Sequence, residues 1–418
     1  MKIAVIGAGI IGVTTAWELA RDGHEVTVIE RRIAVAEEGS FANTGLIAPG
    51  YSSPWATPGM SLRILRHLFS RHSPVRHSLP LTGNDLAWIW KSWRACAAET
   101  SLRNRQALQG LAHYSRSRLH TLGDELELEF DRSQGLLVLL RSEREQAQLR
   151  PALQLLKDQG LPHRELSPEQ ARAIEPALNP DTAFHGALHL PDDEAGNCRQ
   201  FALLLKNAAL ARGVQFAFST DVERLTPGTG GLDVHIAGEN LPRRYDAAVL
   251  CAGMDSARLL RGLGIKLPLA AVYGYSVSAS VREPLNAPRS AVLDERYKVA
   301  ITRLGQRVRV GGGAELGGRA ERQNKAALLT LYKVLQDWFP GAAVHSSGVQ
   351  TWKGTRAMLP DGPPVLGASG IPGLWLNCGH GSSGWTLGCG AARALADLVA
   401  GRTPDTDLAG FGLARLQG

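Results

Sequence analysis

The stretch VIGAGIIG, residues 5–12, decides the fold, because it places three glycines directly after an apolar segment. Gly7 permits a tight turn out of a strand, Gly9 lets the backbone approach a pyrophosphate, and Gly12 lets the following helix pack against that strand. The N–H groups and partial positive charge at the helix N-terminus favour phosphates. The predicted phosphate-binding turn comprises Gly7, Ala8, Gly9, Ile10, Ile11 and Gly12.

The flanking segments complete a strand–helix–strand unit. KIAVIG and HEVTVIE are typical of strands, and the helix between them is expected to end at Gly23. The second strand ends at Glu30, eighteen positions after Gly12, where an acid accepts hydrogen bonds from an adenosine ribose. A glycine-rich turn in an ordinary α/β fold does not explain this acid. Glu30 also repels a ribose 2′-phosphate, which disfavours NADP and leaves NAD or FAD.

Composition predicts a two-lobed globular protein. The chain has 418 residues, 44% hydrophobic and 20% charged, and no apolar run reaches the ~18 residues of a membrane helix. Five cysteines without a CxxC pair favour a reducing cytoplasm, and no His/Cys spacing is typical of zinc, so no metal is expected. The net charge of +7 is modest and no basic stretch is interleaved with aromatics, so no nucleic-acid partner is expected.

Further helix and strand patterns predict an α/β fold with a discontinuous cofactor lobe. QFALLLKNAALARGVQFAFS and YDAAVLCAG return naturally to the first sheet. The Rossmann-like cofactor domain is therefore placed at 1–60, 195–265 and 350–418. A second, α+β substrate domain, built on an antiparallel sheet with a helical cap, is placed at 61–194 and 266–349. An NAD domain is normally one contiguous block, so this interleaving favours FAD.

Five groups of motifs accompany the opening VIGAGIIGVTTAWELARDGHEVTVIERR along nearly the whole chain. They are ANTGLIAPGYSSPWATPG, LPDDEAGNCRQF, LDERYKVAITR with RVRVGGGAE, RAMLPDGPPVLG and LWLNCGHGSSGWTLGCG. Together they resemble the FAD-dependent D-amino acid oxidase and glycine oxidase superfamily, and within it the bacterial D-amino acid dehydrogenases of the small-subunit type. The resemblance implies a non-covalently bound FAD.

The same resemblance implies an activity. D-amino acids would be deaminated to 2-oxo acids and ammonia by hydride transfer from Cα to flavin N5, with no obligatory side-chain base and hence no predicted catalytic side chain. Electrons would pass to a quinone or another acceptor that is not oxygen. Alternative activities are oxidation of glycine, sarcosine or D-proline-type amines, NAD-dependent dehydrogenation, or a non-catalytic flavin-binding subunit of a larger complex.

Arg356, in TWKGTRAMLPDG, falls where the related oxidases place the arginine that binds the substrate carboxylate. A guanidinium grips a carboxylate through two parallel hydrogen bonds and stays charged, although a surface arginine is the alternative. Arg303 adds positive charge or pairs with a nearby acid such as Asp294 or Glu295. The remaining candidates for substrate binding, each of which is equally a core residue, are Tyr51, Tyr273, Tyr275, Tyr297 and His380.

GHGSSGWT, residues 379–386, introduces the last helix and resembles the segment that faces the pyrimidine end of the flavin. Its N–H groups would stabilise negative charge there, whereas the alternative is a plain helix cap. Other positions resemble those that wrap the ribityl chain or meet the adenosine. Besides the opening turn, the predicted cofactor-binding residues are Glu30, Arg31, Ser40, Asn43, Gly45, Leu46, Val222, Cys251, Ala252, Gly253, Gly379, Gly381, Ser382, Ser383, Gly384, Trp385 and Thr386.

Two segments raise the question of membrane contact. SLRILRHLFSRH, residues 61–72, is predicted to be a basic amphipathic helix, and LAWIWKSWRA adds Trp88, Trp90 and Trp93. Such features bind an anionic membrane surface, or they form a helical cap packed on the core. We therefore expect a cytoplasmic protein with peripheral contact at the inner face of the cytoplasmic membrane.

Overall fold

The computed structural model describes residues 1–60 and 72–417, and three sheets organise this part of the chain. The predicted basic helix over 61–72 lies outside the described residues except for its last position. The helices of the described part are α1 (Ile10–Arg21), α2 (Gly83–Arg94), α3 (Ala98–Glu125), α4 (Glu143–Asp158), α5 (Pro168–Ile174), α6 (Cys198–Ala211), α7 (Asp255–Arg261), α8 (Lys325–Trp338) and α9 (Gly384–Val399). Short 3₁₀ turns span Pro284–Asn286, Gly381–Ser383 and Leu413–Leu416.

Two sheets form around the N-terminal unit. The six-stranded sheet contains β1 (Lys2–Ile6), β2 (Glu25–Ile29), β8 (Gln215–Ala217), β12 (Ala247–Leu250), β18 (Val365–Ala368) and β19 (Leu374–Cys378). Its order is β18-β19-β12-β1-β2-β8, and its strands are parallel except for the pair of β18 with β19. The small antiparallel sheet contains β9 (Val222–Gly228), β10 (Gly231–Ile236) and β11 (Arg243–Tyr245).

The third sheet has ten strands and is mostly antiparallel. They are β3 (Leu46–Ile47), β4 (Val75–Ser78), β5 (Ser133–Leu140), β6 (Arg164–Leu166), β7 (Gly186–Ala195), β13 (Ala270–Ser280), β14 (Ala291–Asp294), β15 (Val299–Leu304), β16 (Arg307–Gly317) and β17 (Gln350–Met358). The main path runs β17-β13-β16-β15-β14-β5-β7-β3. Both β3 and β17 therefore belong to this sheet, although the predicted division of the chain assigns them to the cofactor lobe.

The predicted strand–helix–strand unit is present as β1, α1 and β2. Four of the five residues in each strand are buried, as is typical of parallel strands covered on both faces. Gly23 follows α1 with a φ of 85°, a conformation that glycine adopts without steric cost. The helix packs against α6 and α9, so that its N-terminus and the N-terminus of α9 lie on the same side of the six-stranded sheet.

Strand alternation divides the ten-stranded sheet into two faces. Tyr275 and Val277 pack with α8 in one apolar cluster, while the alternate residues Gly274 and Ser276 face a cavity. Helix α2 covers the end of β17, because the Trp88 indole donates a hydrogen bond to the Met358 carbonyl at 2.9 Å. The cavity therefore lies between the face of this sheet that carries Gly274 and Ser276 and the six-stranded sheet.

Candidate active site

One cavity of about 1020 Å³ extends from the opening turn to the ten-stranded sheet, whose cavity-facing side forms the floor of the cavity. Its walls come from the glycine turn, the loop at 37–60, residues within β13, β16 and β17, and the segment 377–386. The volume suits a large cofactor together with a small substrate, since ligand cavities usually span about 300–1,000 Å³.

The glycines of the opening turn are required by the backbone around them. A Cβ on Gly7, whose φ is 101°, would lie 2.6 Å from the Cys251 carbonyl oxygen, and one on Gly12 would lie 1.8 Å from the Gly7 carbonyl oxygen. Gly9, in contrast, meets only the Ser40 hydroxyl at 3.5 Å, so its backbone is open toward the cavity. That hydroxyl also accepts a hydrogen bond from the Ile10 N–H at 3.0 Å and thereby holds the loop to the helix N-terminus.

Glu30 joins the end of β2 to the same turn. Its carboxylate accepts hydrogen bonds from the Ala8 N–H at 2.6 Å and the Arg32 N–H at 2.8 Å, and it lines the cavity. A carboxylate has about four lone-pair sites, so two remain for ribose hydroxyls. Arg31 is held at the rim of the cavity by ion pairs with Glu38, at 2.7 Å, and with Asp255.

The loop at 43–48 is bonded to the start of α9. The Trp385 indole donates hydrogen bonds to the carbonyls of Gly45, at 3.2 Å, and Gly196, at 3.1 Å. The Thr386 hydroxyl donates to the Leu46 carbonyl at 3.3 Å. These contacts fix the α9 N-terminus, whose N–H groups face the cavity and favour negative charge there.

His380 lies just before this N-terminus with a buried imidazole whose Nε2 atom has no partner among the described residues. Burial lowers the pKa of His380 to about 3, so the ring is neutral at pH 7. A buried ring nitrogen without a partner is costly, and a polar atom of a ligand in the cavity would remove that cost.

Arg356 projects from β17 over the backbone of Gly274, where an added Cβ would lie 2.3 Å from its Nη2 atom. Its Nη1 atom donates a hydrogen bond to the Gly313 carbonyl at 2.8 Å, and no carboxylate of the described chain forms an ion pair with it. Burial lowers the pKa of Arg356 to about 10, which leaves the guanidinium charged at pH 7. The cavity floor thus presents an uncompensated cation to an anionic ligand.

Most of the predicted cofactor residues line this cavity. Ala8 and Gly12 do not: the first is buried behind the turn and the second packs against the Gly7 carbonyl, so both support the turn from behind. The lining residues are Gly7, Gly9, Ile10, Ile11, Glu30, Arg31, Ser40, Asn43, Gly45, Leu46, Val222, Cys251, Ala252, Gly253, Gly379, Gly381, Ser382, Ser383, Gly384, Trp385 and Thr386.

Four of the seven predicted substrate residues belong to the cavity wall. Arg356, His380 and Tyr51 line the cavity. Tyr275 belongs to the wall, but strand alternation directs its hydroxyl away, where it is hydrogen-bonded to Glu315 behind the sheet.

Three predicted substrate residues lie elsewhere, which corrects the expectation for them. The Tyr273 ring packs under the Lys353 ammonium at 4.1 Å, on the face of the sheet that points away from the cavity. The Arg141 guanidinium carbon lies 5.1 Å from the centre of the Tyr297 ring. The Arg303 side chain turns back to the Gly305 carbonyl at 3.1 Å and does not pair with Asp294 or Glu295.

Sequence reasoning missed a polar cluster on the cavity wall formed by Tyr51, Arg105, Glu295 and Lys298. The Tyr51 hydroxyl donates to Glu295 at 2.6 Å and accepts from Lys298 at 2.8 Å. It also missed Asp193, whose buried carboxylate accepts hydrogen bonds from the Gly50 and Tyr51 N–H groups. The motifs LPDDEAGNC and LDERYK could have indicated Asp193 and Glu295, because they place these two acids beside buried strands.

The arrangement of these residues fits FAD. The glycine turn and α1 N-terminus offer a diphosphate site, Glu30 a ribose site, and the α9 N-terminus a site for the electron-rich end of a flavin, all along one cavity. The model of the FAD dependent oxidoreductase family (DAO) matches residues 2–398.

The chain belongs to this family.

As a member, it is an FAD-dependent oxidoreductase. Two similar curated relatives are named D-amino acid dehydrogenase: one from Bradyrhizobium diazoefficiens, 40% identical over 99% of this chain and 99% of the relative, and one from Rhizorhabdus wittichii, 41% identical over 97% of each. A solved glycine oxidase from Geobacillus kaustophilus has a TM-score of 0.78 at 22% identity over 99% of this chain and 98% of the other. An L-proline dehydrogenase from P. horikoshii has a TM-score of 0.76 at 18% identity over 100% and 97%.

These comparisons confirm the predicted resemblance, the FAD cofactor and the α/β fold of the cofactor and substrate lobes. The two solved structures support the fold alone, because their sequences are distant.

Proposed function

We propose that this FAD-dependent oxidoreductase oxidises D-amino acids to 2-oxo acids and ammonia. The observation that carries the proposal is Arg356, a cation without an acidic partner in the described part of the chain, on the floor of a cavity that residues of the predicted cofactor site also line. The names of the similar curated relatives support the D-amino acid as substrate.

Each residue has a role in binding and orienting the substrate. Arg356 holds the carboxylate through paired hydrogen bonds and so fixes the position of Cα. His380, neutral at pH 7, offers one hydrogen bond to the substrate or the cofactor. The glycine turn, Glu30 and the segment 379–386 would hold FAD, which would supply the acceptor for the hydride that leaves Cα. A substrate that enters with a neutral amine needs no side-chain base, and water then hydrolyses the imino acid.

The cofactor contacts follow from the same geometry. The glycine turn binds the diphosphate, Glu30 the ribose, and Val222 with residues 251–253 the adenosine. The loop containing Ser40 and Asn43 and the segment 379–386 enclose the flavin ring. In this proposal the cofactor lobe consists of 1–60, 195–265 and 350–418, and the rest forms the substrate lobe.

An oxidoreductase of this kind also needs an electron acceptor, and we propose a quinone or another carrier in place of oxygen, reached by peripheral contact with the cytoplasmic membrane. The support comes from α2, where Leu86, Trp90 and Trp93 are exposed on one helical face beside Lys91 and Arg94. Aromatic and basic side chains together are typical of interfacial helices. No helix in the described part of the chain is long and apolar enough to span a membrane.

Anaerobic mixing of the purified holoenzyme with amino acids tests the substrate. D-alanine and larger D-amino acids are expected to bleach the visible absorption of the bound flavin, whereas their L-enantiomers are not. Bleaching by glycine, sarcosine or D-proline alone would replace the proposed substrate with a related amine. A flavin that stays oxidised with every amine would favour a non-catalytic subunit. A purified protein without visible flavin absorption that oxidises amines only when NAD is added would overturn FAD as the cofactor.

A further inference from the structure

The cavity contains a second arginine whose charge the described part of the chain does not compensate. Arg105, on α3, lines the cavity and is partly buried, and its Nε atom has no hydrogen-bond partner among residues 1–60 and 72–417. None of the described acids forms an ion pair with it. Unpaired buried guanidinium groups are costly and are usually retained where an anion binds.

The nearest acid is already neutralised. Glu295 forms an ion pair with Lys298 and accepts the Tyr51 hydroxyl at 2.6 Å, so its charge and lone pairs are engaged. Burial lowers the pKa of Arg105, and the neighbouring Tyr51 and Glu295 only partly oppose this effect. The cluster of Tyr51, Arg105, Glu295 and Lys298 therefore carries one excess positive charge toward the cavity.

This cluster adjoins the floor that holds Arg356. Arg356 bonds to the carbonyl of Gly313, and Gly312 packs so tightly against Lys298 that an added Cβ would lie 2.4 Å from the Lys298 carbonyl oxygen. The Gly313 carbonyl that holds Arg356 thus lies on β16, and Lys298 directly precedes β15, the neighbour of β16 in the sheet. A molecule in this cavity therefore has both sites on its walls.

Part of the wall of this cavity is apolar. Leu149, Ala152 and Leu155 of α4 line it, and Leu149 belongs to the apolar cluster against which Tyr51 packs, so an aliphatic chain would be covered while its charged end meets the guanidinium. An apolar wall and a second cation in one cavity, with a first carboxylate site on Arg356, match an amino acid that carries an acidic group at the end of its side chain.

We propose that Arg105 binds a second carboxylate, so that the substrates of this enzyme include D-amino acids with an acidic side chain. The inference rests on the proposed function, because it assumes that Arg356 binds the first carboxylate. Arg105 determines specificity and takes no part in the chemical step.

The test compares Arg105→Met, which keeps an apolar stem of similar length, with Arg105→Lys and with Arg103→Met as the matched control on the exposed face of the same helix. Anaerobic flavin reduction is measured with D-glutamate, D-glutamine and D-norvaline. Arg105→Met is expected to lower kcat/KM for D-glutamate by about tenfold or more, because a charge-assisted hydrogen bond is lost, and to change the neutral substrates by less than about threefold. Arg105→Lys should recover part of the loss, and Arg103→Met should resemble the wild type.

Direct binding gives a second readout that needs no turnover. Glutarate and butyrate are titrated into the holoenzyme while the absorption spectrum of FAD is followed. Wild type should bind glutarate more tightly than butyrate, and Arg105→Met should remove that difference. Equal losses for all three amino acids, or equal affinities of the wild type for glutarate and butyrate, would overturn the inference. If no D-amino acid reduces the flavin, the proposed function fails, and the titration still decides whether Arg105 binds the second carboxylate.

Discussion

In the proposed function, Arg356 is the residue on which substrate binding depends most directly. Replacing it with alanine removes the paired hydrogen bonds to the carboxylate, so KM for D-amino acids should rise by about tenfold or more, since such bonds contribute about 1.5–3 kcal/mol each. Arg356→Lys should recover only part of the affinity, because an ammonium is a point charge without the planar fork. Anaerobic flavin reduction at varied substrate concentration measures both, with FAD content as the control. Wild-type kinetics in Arg356→Ala would refute the assignment.

His380 makes a prediction about stability. Its pKa is lowered to about 3 in the folded protein from 6.5 when exposed, so the unfolded chain binds the proton more readily between these values. The stability that this histidine contributes is therefore complete above pH 6.5 and is lost as the pH falls toward 3. His380→Gln, which cannot be protonated, should lose less free energy of unfolding between pH 6.5 and 5 than the wild type, in denaturant titrations of the holoenzyme. An unchanged pH slope would contradict this view of the buried ring.

At the scale of elements, the opening turn predicts the behaviour of two glycine variants. A Cβ at Gly12 would lie 1.8 Å from the Gly7 carbonyl oxygen, which forces α1 away from the turn. Gly12→Ala should therefore be purified largely without FAD. Gly23→Ala is the matched control: Gly23 also lies next to α1, has a φ of 85° and meets nothing within 4 Å, so this variant should be less stable but still yellow. Equal FAD content in both variants would show that the turn does not bind the diphosphate.

Asp193, on β7, positions the loop that carries Tyr51. Its oxygens accept the N–H groups of Gly50 at 2.9 Å and Tyr51 at 3.2 Å, and burial raises its pKa to about 7. Asp193→Asn places an amide NH₂ against one of these donors, so KM should rise several-fold and the component of kcat/KM that titrates near pH 7 should disappear. Asp192→Asn, at the more exposed neighbouring position, is the control.

The same carboxyl group has the opposite effect on stability from His380. Because its pKa is raised from 3.8 to about 7, the folded state binds the proton more readily, and stability is lost as the pH rises through this range. Asp193→Asn should therefore steepen the gain in unfolding free energy with pH between about 4 and 6.5, by ~1.4 kcal/mol per pH unit at most. A profile identical to that of the wild type would contradict the ionisation of Asp193.

The elements differ in how far their sequence predicts them. The β1–α1–β2 unit was predictable because its glycines, its periodicity and Glu30 are all local in the chain. The direction in which the Tyr273 and Tyr275 side chains point was not predictable, because both faces of β13 are largely buried and only its packing against α8 decides which face points to the cavity. Arg105 and Asp193 were missed for a related reason. Among the described residues Arg105 lacks an acidic partner and Asp193 a basic one, and this is known only once the fold brings distant segments together.

At the scale of the whole molecule, the α/β fold class was predictable and the sheet boundaries were not. The discontinuous α/β cofactor lobe followed from helix and strand patterns that recur far from the N-terminus. The pairing of β17 with β13 did not, because Arg356 lies in a strand whose neighbours are more than 70 residues away in the chain. That pairing is what places Arg356 on the wall of the cavity that the opening turn also lines.

The surface of the molecule gives the last prediction. Trp90 is 53% exposed and Trp93 60% exposed on α2, beside the basic Lys91 and Arg94, and large apolar side chains exposed on one helical face are typical of a site of contact. The paired substitution of Trp90→Ser with Trp93→Ser should reduce co-sedimentation of the holoenzyme with vesicles of anionic phospholipid by severalfold while anaerobic flavin reduction stays normal, since neither side chain lines the cavity. Leu241→Ser, at an apolar residue 80% exposed in the loop between β10 and β11, is the matched control and should sediment like the wild type. Because basic side chains supply part of the attraction, high salt should weaken the binding of the wild type. Wild-type holoenzyme that stays in solution with anionic vesicles at low salt would exclude this face as a membrane contact.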